Sequence, residues 1–64
     1  MNYYELFGLM PDATDEEFEA AYLRLREKYR EDRWLDGEAG NEAARKLTEL
    51  ENAYKELTVE RKRQ

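Results

Sequence analysis

Residues 14–29, TDEEFEAAYLRLREKY, carry the strongest helix pattern in the chain. Thr14 is followed three residues later by Glu17, which is the capping-box arrangement that starts a helix. Apolar residues then recur every three or four positions and share one helical face, Phe18, Ala21, Tyr22, Leu25 and Tyr29. The stretch predicts a long second helix over about residues 15–31, with this face turned toward a core.

A second apolar stripe lies further along the chain. Asn41 offers a helix cap, and the apolar residues after it follow a seven-residue rhythm, Ala43, Leu47, Leu50, Tyr54 and Leu57. Asp36-Gly37 and Gly40 supply turn chemistry, which predicts a loop over about residues 32–40 and a third helix over about 42–57. Two amphipathic helices joined by so short a loop are expected to pack antiparallel.

Two short segments flank this predicted hairpin. About residues 2–7 are predicted to form a first helix of little more than one turn, which Asn2 is placed to cap. The apolar side chains of this region can close the hairpin, Tyr3, Leu6, Phe7 and Leu9. Residues 59–64 have the pattern of the start of a fourth helix. Within it, Arg61-Lys62-Arg63 is interpreted as a solvated basic turn, in preference to a nucleic-acid or sorting patch. We therefore predict a single all-α domain over residues 1–64.

Composition excludes several classes of function. The chain has no cysteine and no histidine, so it lacks disulfides, thiolate metal ligands and the commonest acid/base side chain. Its net charge of -5 disfavours binding to a phosphate backbone. No apolar run is long enough to cross a membrane, and the first residues of the sequence lack the basic and apolar regions typical of a signal peptide. We expect a soluble, cytoplasmic, monomeric protein with no enzyme activity, cofactor or metal, and with no nucleic-acid or membrane partner.

Several short motifs occur in a fixed order along the chain. They are NYYELFGL at 2–9, DATDEE at 12–17, AY at 21–22 with Leu25, KY at 28–29, and NAY at 52–54 with Leu57. In order and spacing they resemble a DnaJ-type J-domain over nearly the whole chain. The resemblance implies a hairpin of the second and third helices, buttressed by the short first helix, with a DnaK-type chaperone as partner.

One tripeptide departs from this family. In J-domains the corner after the second helix carries His-Pro-Asp, which is required to stimulate ATP hydrolysis by the chaperone, and here it falls on Arg30, Glu31 and Asp32. Arg30 can donate hydrogen bonds but cannot accept them as a histidine can. Glu31 lacks the fixed φ of proline and leaves its predecessor unrestricted, so the second helix is free to continue through Asp32 or Arg33.

The outer face of the second helix differs from the family as well. J-domains usually present a basic face there, which meets acidic surface on the chaperone. Helical projection places Glu19, Ala20, Leu23, Glu27 and Arg30 opposite the apolar stripe, and this set is not basic.

These two departures favour a degenerate J-domain that acts as a protein-interaction module without ordinary chaperone stimulation. Its partner would be a DnaK-type chaperone or another J-domain protein. The alternative is a divergent co-chaperone that stimulates a dedicated chaperone through Arg30 and Asp32, and a nucleic-acid-binding module is disfavoured by the acidic balance.

Trp34 and Leu35 have no assigned place in the predicted hairpin. The simpler interpretation is that both fold back over its open end. The alternative makes Trp34 an anchor for a partner, because aromatic residues are enriched in binding hot spots. The candidate partner-contact residues are Leu23, Arg24, Glu27, Arg33 and Trp34.

Overall fold

The computed structural model describes residues 3–63 and contains three helices: α1 (Tyr3–Phe7), α2 (Asp15–Asp32) and α3 (Glu38–Lys62). α2 and α3 make most of the contacts between helices, and α1 packs against both. The part of the chain described is thus all-α, as the sequence predicts. The suggested cap Asn2 and the last predicted helical residue, Gln64, lie outside the described residues.

The capping box predicted at the start of α2 is confirmed. The Glu17 backbone N–H donates to Thr14 Oγ1 at 3.1 Å, and the Thr14 backbone N–H donates to Glu17 Oε1 at 3.1 Å. The hydrogen bond from the Thr14 backbone N–H, followed by the one that involves the Thr14 hydroxyl, lowers the pKa of the Glu17 carboxyl. Two otherwise unpaired donors at the helix end are satisfied in this way.

α3 differs from the prediction at both ends. It begins at Glu38, four residues earlier than expected, because the chain turns at Gly37, whose φ of +70° suits glycine. Asn41 therefore does not cap the helix, and its backbone N–H bonds to the Gly37 carbonyl oxygen inside the first turn. The loop expected at 32–40 shrinks to residues 33–37.

No separate fourth helix begins after Leu57 within the described residues. α3 continues without interruption to Lys62. The residues from Thr58 to Lys62 include no proline or glycine that would stop a helix, so the predicted boundary at residue 58 was wrong.

The core lies where the three helices meet. Its buried members are Phe7, Phe18, Ala21, Tyr22, Leu50, Ala53 and Leu57. Phe7 meets the ring of Phe18 edge-on at 5.0 Å, and Tyr54 stacks on Phe18 and on Tyr22 at 5.3 and 3.7 Å between ring centroids. Aromatic contacts of this kind add to the stabilisation from apolar burial. Ala53 is fully buried, although it falls outside the predicted apolar stripe of α3.

Two tyrosine–carboxylate pairs join α2 to α3 by hydrogen bonds that run in opposite directions. Tyr22 on α2 donates to both carboxylate oxygens of Glu51 at 2.9 and 3.0 Å, and Tyr54 on α3 donates to Glu19 Oε2 at 2.6 Å. Burial, and then the hydrogen bond to Glu51, raises the pKa of Tyr22 to about 12. The hydrogen bond to Glu19 is the main cause that raises the pKa of Tyr54. Glu19 is therefore turned toward α3, and its predicted place on the outer face of α2 was wrong.

Arg61 ties the end of α3 to the start of α2. Its guanidinium donates to Asp15 Oδ1 at 2.8 Å, to the Ala13 carbonyl oxygen at 2.6 Å and to the Tyr4 hydroxyl at 3.2 Å. It also lies 5.3 Å from the centre of the Phe18 ring. The hydrogen bond to Asp15, followed by the bond to Tyr4, raises the pKa of Arg61. The prediction that Arg61 belongs to a solvated basic turn was wrong, since only 17% of its side chain is exposed to solvent.

None of the helices described is both long and apolar enough to cross a membrane.

Candidate functional site

The corner, defined here as residues 30–37, joins the end of α2 to the start of α3. Backbone hydrogen bonds continue through it: Arg33 N–H donates to the Tyr29 carbonyl oxygen at 3.0 Å, and Leu35 N–H donates to that of Asp32 at 3.0 Å. Trp34 N–H donates to the Glu31 carbonyl oxygen at 3.3 Å. The C-cap Arg33 itself keeps a helical conformation, with φ of -63° and ψ of -17°. The chain at the corner is thus held by a hydrogen bond at each of three consecutive residues.

Gly40 packs the first turn of α3 against the backbone of the corner. A Cβ atom at this position would overlap the carbonyl oxygen of Leu35 and lie 3.0 Å from that of Arg33. Gly40 is buried and helical, so its expected role as a loop residue was wrong. Its role is to permit a close approach of two backbone segments.

Arg30, Glu31 and Asp32 occupy the last turn of α2. Arg30 and Glu31 are exposed, whereas Asp32 is half-buried. Asp32 shares a helical face with Leu25 and Tyr29, seven and three residues back, and both of these pack on the core. Within residues 3–63, Asp32 has no ion pair. The three side chains therefore do not converge on one exposed surface.

Trp34 projects from the corner into solvent. Trp34 is 80% exposed to solvent, and Leu35 is 54% exposed. The interpretation that both fold back over the open end of the hairpin was wrong, because both side chains are exposed to solvent. The Arg33 guanidinium lies 5.3 Å from the centre of the Trp34 ring, a distance typical of a cation–π contact.

The remaining candidate contact residues lie along α2. Leu23, Arg24 and Glu27 are all exposed. Leu23 precedes Asp32, the last residue of α2, by nine residues, which corresponds to about 14 Å along the helix axis. The structure therefore brings Arg33 and Trp34 together just past the end of α2, and it places Leu23 and Arg24 more than two turns before that end.

In the part of the chain that the structure describes, no cluster of three or more aspartate, glutamate, histidine or cysteine side chains is arranged to hold a metal ion.

Comparisons with known proteins agree on one family. The model of the DnaJ domain matches residues 2–64. The DnaJ protein ERDJ3B of Arabidopsis thaliana is 36% identical over 63 residues, covering 98% of this chain and 17% of that protein. The chaperone protein DnaJ of Bordetella bronchiseptica is 40% identical over 62 residues, covering 97% of this chain and 16% of its own length. No solved structure gives a significant match.

Proposed function

This chain belongs to the DnaJ domain family, and we propose that it is a non-enzymatic protein-interaction module that does not stimulate a DnaK-type chaperone in the usual way. The chain spans about one sixth of the length of the curated relatives it matches. The activities of those longer proteins therefore reach this chain only as part of the proposal.

The observation that carries the proposal is the continuation of α2 through the tripeptide position. Glu31 stands where the family has proline, and α2 runs on to Asp32 with its hydrogen bonds extended into the corner. A proline at residue 31 would remove a backbone donor and disfavour the helical conformation of its predecessor. Asp32, the remaining member of the tripeptide, is then held on the half-buried side of the helix.

The charge of the outer face of α2 supports the same proposal. Ala20, Leu23, Glu27 and Arg30 are exposed there, which is a mixed set rather than a basic one. Complementary charge steers encounters between proteins, so a face of this composition would attract an acidic chaperone surface weakly.

A single-turnover ATPase assay with a DnaK-type chaperone tests the proposal. We expect the chain to accelerate hydrolysis by less than about twofold, equivalent to ~0.4 kcal/mol in activation free energy. The variant Asp32→Asn should give the same rate as the parent chain. Clear acceleration that Asp32→Asn abolishes would instead establish the divergent co-chaperone that acts through Arg30 and Asp32.

Restoring the tripeptide is the matched experiment. Arg30→His combined with Glu31→Pro should produce stimulation if the end of α2 is the main defect. If the restored variant gives no more ATPase stimulation than the parent chain, the charge of the outer face of α2 is the larger defect.

Trp34, with Arg33 beside it, is the contact we propose for the protein partner. The partner would be a DnaK-type chaperone or a second J-domain protein, and Leu23, Arg24 and Glu27 would extend the contact along α2. Trp34→Ala should weaken the complex by about tenfold, since an exposed aromatic residue at an interface centre commonly contributes this much.

Calorimetric titration of either partner measures this effect. The control is Met10→Ala, which removes another exposed apolar side chain away from the corner and should leave affinity unchanged. A Trp34→Ala chain that binds normally, or that loses much of its folding stability, would show that Trp34 is not a contact residue.

A further inference from the structure

The three helices enclose a small notch on a side of the molecule that the corner residues 30–37 do not line. Its volume is about 240 Å³, and α1, α2 and α3 each contribute to its lining, with Glu5, Leu6, Tyr29, Lys46, Glu49 and Leu50. Clefts that hold drug-sized ligands usually measure about 300–1,000 Å³. The notch is therefore of a size to take one or two side chains of another protein.

The lining combines an apolar floor with carboxylates at the rim. Leu50 is buried, and Leu6 and Tyr29 are half-buried against the core. Glu5 on α1 and Glu49 on α3 are exposed and take part in no ion pair among residues 3–63. A site of this kind suits a side chain that has an apolar stem and a positively charged end.

Among the described residues that line the notch, Lys46 is the one that is basic. Its Nζ lies 3.8 Å from Glu42 Oε1, so its charge is directed in part toward a neighbour on the same helix. The carboxylates of Glu5 and Glu49 thus outnumber the single positive charge at the rim.

We propose that the notch binds an arginine side chain presented by a protein partner. The aliphatic stem of the arginine would lie against the half-buried Leu6, and its planar guanidinium would lie near the Tyr29 ring with Glu5 and Glu49 as acceptors. Arginine fits better than lysine because its guanidinium stacks on aromatic faces and bonds carboxylates in a bidentate manner.

Arginine binding at the notch is separate from the proposed function, because the residues that line the notch differ from those of the corner and do not include the tripeptide. Failure of the ATPase prediction would leave the notch unaffected. Failure of arginine binding would equally leave the ATPase prediction unaffected, so the two are tested separately.

The test is a nuclear magnetic resonance titration of the ¹⁵N-labelled chain with the tripeptide acetyl-Gly-Arg-Gly-amide at low ionic strength. We expect saturable shifts at the backbone amides of Glu5, Leu6, Tyr29 and Glu49, with a Kd of about 1–10 mM, as befits a single side chain. The same peptide with citrulline in place of arginine keeps the shape but lacks the charge, and it should bind at least fivefold more weakly.

Paired variants separate the notch from the general negative charge of the chain. Glu5→Gln with Glu49→Gln should weaken binding at least fivefold. The control, Glu56→Gln with Glu60→Gln, removes the same charge from exposed positions elsewhere on α3 and should change binding by less than twofold. Equal losses in both pairs, equal binding of the citrulline peptide, or shifts spread over all acidic surfaces would each overturn the proposal.

Discussion

Arg61→Ala is expected to lower the free energy of unfolding by about 2–3 kcal/mol, since hydrogen bonds from a charged donor each contribute about 1.5–3 kcal/mol and the solvent exposure of one partner reduces the total. Asp15, whose side chain is 89% exposed, accounts for little of this loss. The larger share comes from the Ala13 carbonyl and the Tyr4 hydroxyl, which lose a donor, and from the Phe18 ring, which loses its contact with the guanidinium.

Urea or thermal unfolding followed by circular dichroism measures the effect. For a domain of this size the midpoint temperature should fall by on the order of 10 °C or more. The control is Lys62→Ala at the next position of α3, which removes the same charge from an exposed site and should cost less than about 0.5 kcal/mol. Equal effects of the two variants would mean that Arg61 contributes only its charge.

Gly40→Ala is the second substitution with a large expected effect, a net loss of up to about 2 kcal/mol in the free energy of unfolding. Alanine in place of glycine inside a helix would by itself stabilise α3 by about 1 kcal/mol. The added Cβ, however, overlaps the carbonyl oxygen of Leu35, and a backbone atom cannot be moved aside by rotating a side chain. Overpacking of this kind typically costs about 1–3 kcal/mol, and here it would push the first turn of α3 off the corner.

Two measurements follow the effect of Gly40→Ala. Unfolding in urea gives the stability, and fluorescence of Trp34, the chain's single tryptophan, reports the environment of the corner. The neighbouring exposed residue provides the control, since Asn41→Ala should be neutral or slightly stabilising. If Gly40→Ala raised the stability, the helical propensity of alanine would outweigh the overlap with Leu35, and the close approach at Gly40 would be unimportant.

The sequence predicted the helices most accurately where local signals agreed. At the start of α2 the capping box and the apolar stripe coincide, and the structure places the helix start at Asp15 as predicted. The resemblance to the J-domain family, carried by the same segments, is confirmed by the family match.

Residues whose role depends on contacts across the fold were predicted poorly. Arg61 looked like part of a solvated turn because its partner Asp15 is 46 positions away in sequence. Glu19 lies about 100° from Phe18 on the helical wheel, at the side of α2 and not opposite the apolar stripe, and its acceptor role depends on Tyr54, 35 positions away. No periodicity within one helix carries that information.

The corner illustrates a related limit. Gly37 and Gly40 both look like turn residues, yet only Gly37 has a positive φ, and Gly40 serves a close backbone contact inside α3. Arg30, Glu31 and Asp32 could be located from the order of motifs. The solvent exposure of these three residues and of Trp34 could not be predicted in this way, because it depends on the path that the chain takes after Asp32.

The paired hydrogen bonds between α2 and α3 fix the register of the hairpin. Ala43, Leu50 and Leu57 recur every seven residues, so the apolar stripe of α3 would still meet α2 after a slide of two turns, or about 11 Å. Such a slide would separate Tyr22 from Glu51 and Tyr54 from Glu19 at once. Because each helix supplies one donor and one acceptor, only one alignment of the two helices satisfies both tyrosine–carboxylate pairs. The polar contacts therefore select one register among the several that apolar packing alone would allow.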